Sequence, residues 1–177
     1  MSDQIYSEEY LESLMDEKGY VNQDLIINES SIKSLGRVKK IYGDLGIYSD
    51  SIENLGELNY VKGDFWISSK SGKSLTSLNN LERVGGNVTL KGSNVTDLGN
   101  LLRVGGKLNL RDTRIIDLKN LTYVKTLFLS SKLKTTNIDH IEISRVRYWK
   151  DIEVTTTKYK IFNNVGGQNL GYWLRPH

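Results

Sequence analysis

Six short apolar-x-apolar triplets recur along this chain at near-constant spacing, and a repeat of that period restricts the fold more than any other feature. They are Leu25-Ile26-Ile27, Leu45-Gly46-Ile47, Phe65-Trp66-Ile67, Val88-Thr89-Leu90, Leu108-Asn109-Leu110 and Leu127-Phe128-Leu129, and their first residues lie 20, 20, 23, 20 and 19 positions apart. Four more apolar positions follow in each unit, such as Ile52, Leu55, Leu58 and Val61 in the second, or Ile115, Leu118, Leu121 and Val124 in the fifth. The third unit carries three extra residues in SSKSGKS and resumes at Leu75, Leu78, Leu81 and Val84.

The period changes inside each unit. The triplet has period 2, which puts its first and third side chains on one face of a strand. The later positions advance by three, as side chains do along a 3₁₀ or irregular return limb. One unit alone leaves its apolar edge open, so the units must stack. The strands are entered through Tyr42-Gly43-Asp44, Lys62-Gly63-Asp64, Val84-Gly85-Gly86-Asn87 and Val104-Gly105-Gly106-Lys107, where glycine would permit positive φ. The predicted fold is therefore a repeat solenoid of short parallel strands over residues 21–137.

The run Leu108-Asn109-Leu110-Arg111-Asp112-Thr113-Arg114-Ile115 resembles the leucine-rich repeat, and the resemblance covers roughly residues 21–129. The glycine-rich strand entry is similar to that of the receptor L domain. The repeats also resemble those of small bacterial and bacteriophage proteins. Two departures stand out. Ser30, Asp50, Ser93 and Thr113 occupy the place of the family's asparagine ladder, and the apolar residue before the triplet lies four positions back rather than three in the first five units. The resemblance implies a scaffold for binding a partner.

The ends should cap this stack. Residues 1–20 are expected to hold a helical cap over SEEYLESLMDE, with Ser7 as N-cap, Glu8 and Glu9 in the first turn, a Leu11, Leu14, Met15 stripe and Gly19 after the end. Residues 138–177 are expected to form a small β cap. Its strands are predicted at His140–Trp149 and Thr155–Phe162, with a turn at Asn163–Gly167 and a loose tail. Charge is uneven: six acids and one lysine in residues 1–20, and eight basic against four acidic residues in 132–177.

Catalytic equipment is sparse. There is no cysteine, which excludes disulfides, thiolate metal sites and thiol nucleophiles. Of the two histidines, His140 is expected on a surface strand and His177 is the last residue. No helical zinc motif, phosphate-binding loop or nucleophile elbow occurs. The Gly-Gly pairs follow the repeat and are read as turns. We expect no enzyme activity, cofactor or metal. A start without an apolar run, and no span of membrane length, lead to the expectation of a soluble, cytoplasmic protein with no membrane partner.

Outward positions follow from strand alternation. They do not repeat: Asp44, Tyr48, Asp64 and Trp66 give way to Lys91, Lys107, Asn109, Arg111 and Phe128 along the stack. Exposed aromatics among charges of both signs suit a protein interface. The reading is a protein–protein interaction module, acting as a small inhibitor or adaptor by occlusion, for example a bacteriophage protein that blocks a host defence enzyme. Self-association is a further use of the same face. The alternative is nucleic-acid binding by Arg145, Arg147, Tyr148, Trp149 and Lys150, a basic and aromatic cluster in the C-terminal segment.

Overall fold

The computed structural model describes residues 4–5, 7–28, 31–68, 73–118, 120–130, 133, 135–149, 153–155, 159–163 and 171–176, with side chains for 7–28, 31–68, 73–118, 120–130, 133 and 138–144. It is a parallel β-solenoid of about six turns.

The triplets are strands. Leu25–Ile27, Leu45–Ile47 and Phe65–Ile67 pair parallel, with Leu25 opposite Leu45 opposite Phe65 and Ile26 opposite Gly46 opposite Trp66. Val88–Thr89 and the later residues of Arg103–Asn109, Tyr123–Phe128 and Glu142–Trp149 continue this first ladder. The alternation turns the first and third side chains inward, so Leu25, Ile27, Leu45, Ile47 and Phe65 are fully buried at 0 % exposure. Each inner residue packs on its counterpart one coil away, and the inner columns merge into one Leu/Ile/Val core. Burying each such side chain contributes roughly 1.5–3 kcal/mol, and only the stack provides that burial.

The return limb departs from the expectation. Tyr20–Val21, Lys40–Ile41, Tyr60–Val61 and Arg83–Val84 form a second parallel ladder, and Arg103–Asn109, Tyr123–Phe128 and Glu142–Trp149 run through both ladders. Its inner residues are Val21, Ile41, Val61, Val84 and Val104. The steps of three end in β-turns, and no 3₁₀ helix occurs among the described residues. The amides of Val38, Leu58, Leu81, Leu101 and Leu121 donate to the carbonyls of Leu35, Leu55, Leu78, Leu98 and Leu118. The residue after the first apolar one must hold positive φ. It is Gly36 (φ 55°), Gly56 (58°) and Gly99 (56°), with Asn79 (49°) taking the role once. Just before each turn, Ser34, Asn54, Ser77 and Asp97 accept the amide N–H two residues on.

The glycines that enter the first ladder need no positive φ, contrary to the sequence expectation. They are required by close approach. A Cβ on Gly63 would overlap the Asp44 carboxylate and the Gly43 carbonyl, and one on Gly86 would overlap Asp64 and Gly63.

The supposed asparagine-ladder positions also divide. Ser93 and Thr113 are buried, but Asp50 is exposed and its neighbour Ser49 is buried instead. Ser30 lies outside the described residues.

At the start, the helix Glu8–Ser13 is shorter than expected, capped by Ser7, whose side chain accepts the Tyr10 amide. Leu11 is buried, with Leu14 and Met15 packed against the core. Glu12 holds Arg37 through Nε at 2.8 Å and Nη2 at 2.7 Å, and this hydrogen bond and charge raise the Arg37 pKa. The first sheet edge is met by a strand, Gln4–Ile5, paired parallel with Leu25–Ile27. At the other end Glu142–Trp149 pairs antiparallel with Gly171–Pro176, which pairs with Tyr159–Asn163. The expected loose tail is thus a strand through Pro176, and most of the expected turn at 163–167 lies outside the described residues.

Candidate functional site

The outer row of the first ladder runs Ile26, Gly46, Trp66, Thr89, Asn109, Phe128 in register, and Arg147 follows opposite Phe128. Trp66 is its centre. Its indole lies across Gly46, with two ring carbons 2.6 and 2.7 Å from where a Cβ would stand, and Ile26 Cδ1 closes the far side at 3.0 Å. A side chain at position 46 would exclude the indole. Glycine in mid-strand normally weakens a strand, so here it marks a seat for a ring. Tyr48, 42 % exposed, meets Trp66 edge to face at 6.4 Å between centroids. Among the described residues the Trp66 Nε1–H is covered and has no hydrogen-bond partner. Such a donor costs roughly 1–3 kcal/mol until an acceptor reaches it.

Asp44 and Asp64 are committed to the scaffold. Asp24 Oδ1 accepts the Asp44 amide at 2.8 Å, Asp44 Oδ1 accepts that of Asp64 at 2.7 Å, and Asp64 Oδ1 accepts that of Asn87 at 2.7 Å. Asn87 Oδ1 continues the ladder by accepting the Lys107 amide at 2.9 Å. Each carboxylate thus binds the coil above it through the gap that glycine leaves.

Farther along, Arg111 donates from Nε to Asn109 Oδ1 at 3.2 Å, and its guanidinium stands 5.3 Å above the Phe128 ring. Lys91 and Lys107 are exposed, with no ion-pair partner among the described residues. The nine predicted interface residues therefore share one ladder. Tyr48 with Trp66 forms one cluster, and Asn109, Arg111 and Phe128 form another. Between them lies the Thr89 rung, and rungs are about 4.8 Å apart.

The alternative cluster does not stand apart. Arg145 is opposite Thr126 and Arg147 opposite Phe128, so both prolong the first ladder. Tyr148 pairs with Tyr172 and Trp149 with Gly171, while Lys150 and His177 lie outside the described residues. His140 occupies the turn before this strand, not the strand itself, with Nε2 3.1 Å from the Leu118 carbonyl.

Sequence reasoning missed the seat itself. Gly46 replaces a side chain that every other triplet supplies at its middle position, and that exception was the available signal. It missed the outer row of the second ladder as well, because those residues were assigned to an irregular limb. Among the described residues no group of three acidic or histidine side chains could hold a metal ion, and no helix is long and apolar enough to cross a membrane. No protein-family model matches the chain, and no curated protein or solved structure gives a significant match to it.

Proposed function

We propose that this chain is a non-catalytic protein-binding module of leucine-rich-repeat-like type, whose contact surface is the outer face of the first ladder. The observation that carries the reading is the Tyr48–Trp66 pair seated on Gly46, an exposed tyrosine held edge to face with a half-buried indole. Aromatic anchors beside polar and basic neighbours are the usual core of an interface. Inner columns repeat one residue class because stacking demands it, whereas the outer row is free of that demand and does not repeat. A small rigid face of this kind suits an inhibitor or adaptor that acts by covering its partner's surface.

The test is affinity capture from lysate of the cells in which the protein functions, with wild type beside Tyr48→Ala/Trp66→Ala shown by circular dichroism to be folded at the capture temperature. A protein held by the wild type and lost by the variant is the expected result. Equal retention by both, confirmed with the purified partner, removes the first ladder from the interface.

A further inference from the structure

We propose that the outer face of the second ladder binds single-stranded nucleic acid, laid along the stack of coils. This surface is distinct from the Tyr48–Trp66 face and from the C-terminal segment.

Its row reads Tyr20, Lys40, Tyr60, Arg83, Arg103, Tyr123 in register, one residue per coil. The residue two places on in two of these coils adds Lys62 and Lys125, both exposed. Arg83 and Arg103 are exposed and sit directly opposite each other on paired strands. Like charges so placed are destabilising. Among the described residues no carboxylate lies within ion-pair distance of any of these five cations. Glu82 is the residue before Arg83, and Glu142 stands opposite Tyr123 at the end of the row. A surface that keeps repelling cations in line is matched by a polyanion.

The aromatic residues choose which polyanion. Tyr20, Tyr42 and Tyr60 follow one another edge to face at 6.0 and 6.3 Å, and Tyr42 is 39 % exposed. Arg103 lies 4.6 Å above the Tyr123 ring. Rings and guanidinium planes interleaved with lysines are what unpaired bases and phosphates require together. An acidic polypeptide would use the cations and leave the rings idle. The row rises about 4.8 Å per coil, so Lys40 to Tyr123 spans about 19 Å, a track for one strand.

The measurement is fluorescence polarisation with labelled oligo-dT and oligo-rU of about 20 nucleotides. If about four phosphates are neutralised, affinity falls about 50-fold between 50 and 200 mM salt. Arg83→Glu/Arg103→Glu should weaken binding at least about tenfold at 50 mM salt. Lys62→Gln/Lys125→Gln, a milder pair that tests the site even where the charge reversal perturbs folding, should weaken it several-fold. Tyr48→Ala/Trp66→Ala should bind oligonucleotide as the wild type does, which separates this site from the proposed protein interface. No binding at 50 mM salt, or binding unchanged by both cation pairs, overturns the proposal. Displacement by polyglutamate as effective as by unlabelled oligonucleotide also overturns it, and assigns the face to an acidic polypeptide.

Discussion

The two ladders share every coil and bury the same residue class, yet their outer rows are held in unlike ways. On the first, Asp24, Asp44, Asp64 and Asn87 each accept an amide one coil up, and the Trp66 indole rests in the space over Gly46. On the second, tyrosines touch their neighbours while Lys62, Arg83 and Lys125 stand without a salt bridge among the described residues. The difference separates two uses of a polar residue in a solenoid. One whose side chain bonds the next coil belongs to the scaffold, however outward its backbone position. One left uncompensated at a repeated position is available to a partner.

Phe65 and Trp66 give the sharpest contrast, since they are adjacent in one strand. Phe65 is fully buried, and Phe65→Ala should cost about 3–5 kcal/mol by opening a cavity in the central coil. Trp66→Ala removes a half-buried ring on the outer side and relieves an unpaired N–H, so it should cost less than half as much. Urea unfolding of both variants measures the gap. Equal losses would mean that Trp66 is part of the core and that the outer face is no separate functional surface.

The next test concerns the acid ladder. Asp64 accepts from the Asn87 amide at 2.7 Å and from Asn87 Nδ2 at 3.1 Å. Asp64→Ala takes the carboxylate away from both donors, at about 1–3 kcal/mol. Asp64→Asn keeps an acceptor, and Asn87 already serves the next coil in that form, so it should lose under half of that. Thermal melts of the pair decide between a scaffold and a charge role. If Asp64→Asn is as harmful as Asp64→Ala, the negative charge matters and the ladder is not explained by hydrogen bonding alone.

Much of this was legible in the residues. Period-2 triplets at a 20-residue interval specify stacked parallel strands, because no other arrangement buries both ends of each triplet. The second ladder was not read, since its strands are two residues long and a pair such as Lys40-Ile41 or Arg83-Val84 carries no alternation to detect. The step of three was real, but it arises from a β-turn repeated in each coil rather than from a 3₁₀ limb. Alternation puts Asp44 and Asp64 outside the inner columns, and it says nothing about whether a carboxylate then reaches the next coil's amide. The Trp66 seat depends on a contact between coils at the one triplet lacking a middle side chain, so it emerges only when Gly46 and Trp66 are put in register.

That seat supports the smallest and most discriminating test. Trp66→Phe keeps an aromatic ring over Gly46 and Ile26 while deleting the covered N–H. Less apolar area is buried, but an unsatisfied donor disappears, so the two effects oppose and stability should change by less than about 1 kcal/mol. A larger loss would show that the N–H has an acceptor in solution. Affinity for the protein partner should respond differently. If the complex uncovers this N–H and an acceptor on the partner takes it, the variant forfeits a bond worth about 1.5 kcal/mol and binds about tenfold more weakly. Unchanged affinity would mean that the ring's shape alone is recognised, and the anchor of the interface would then be the Tyr48–Trp66 edge rather than the indole nitrogen.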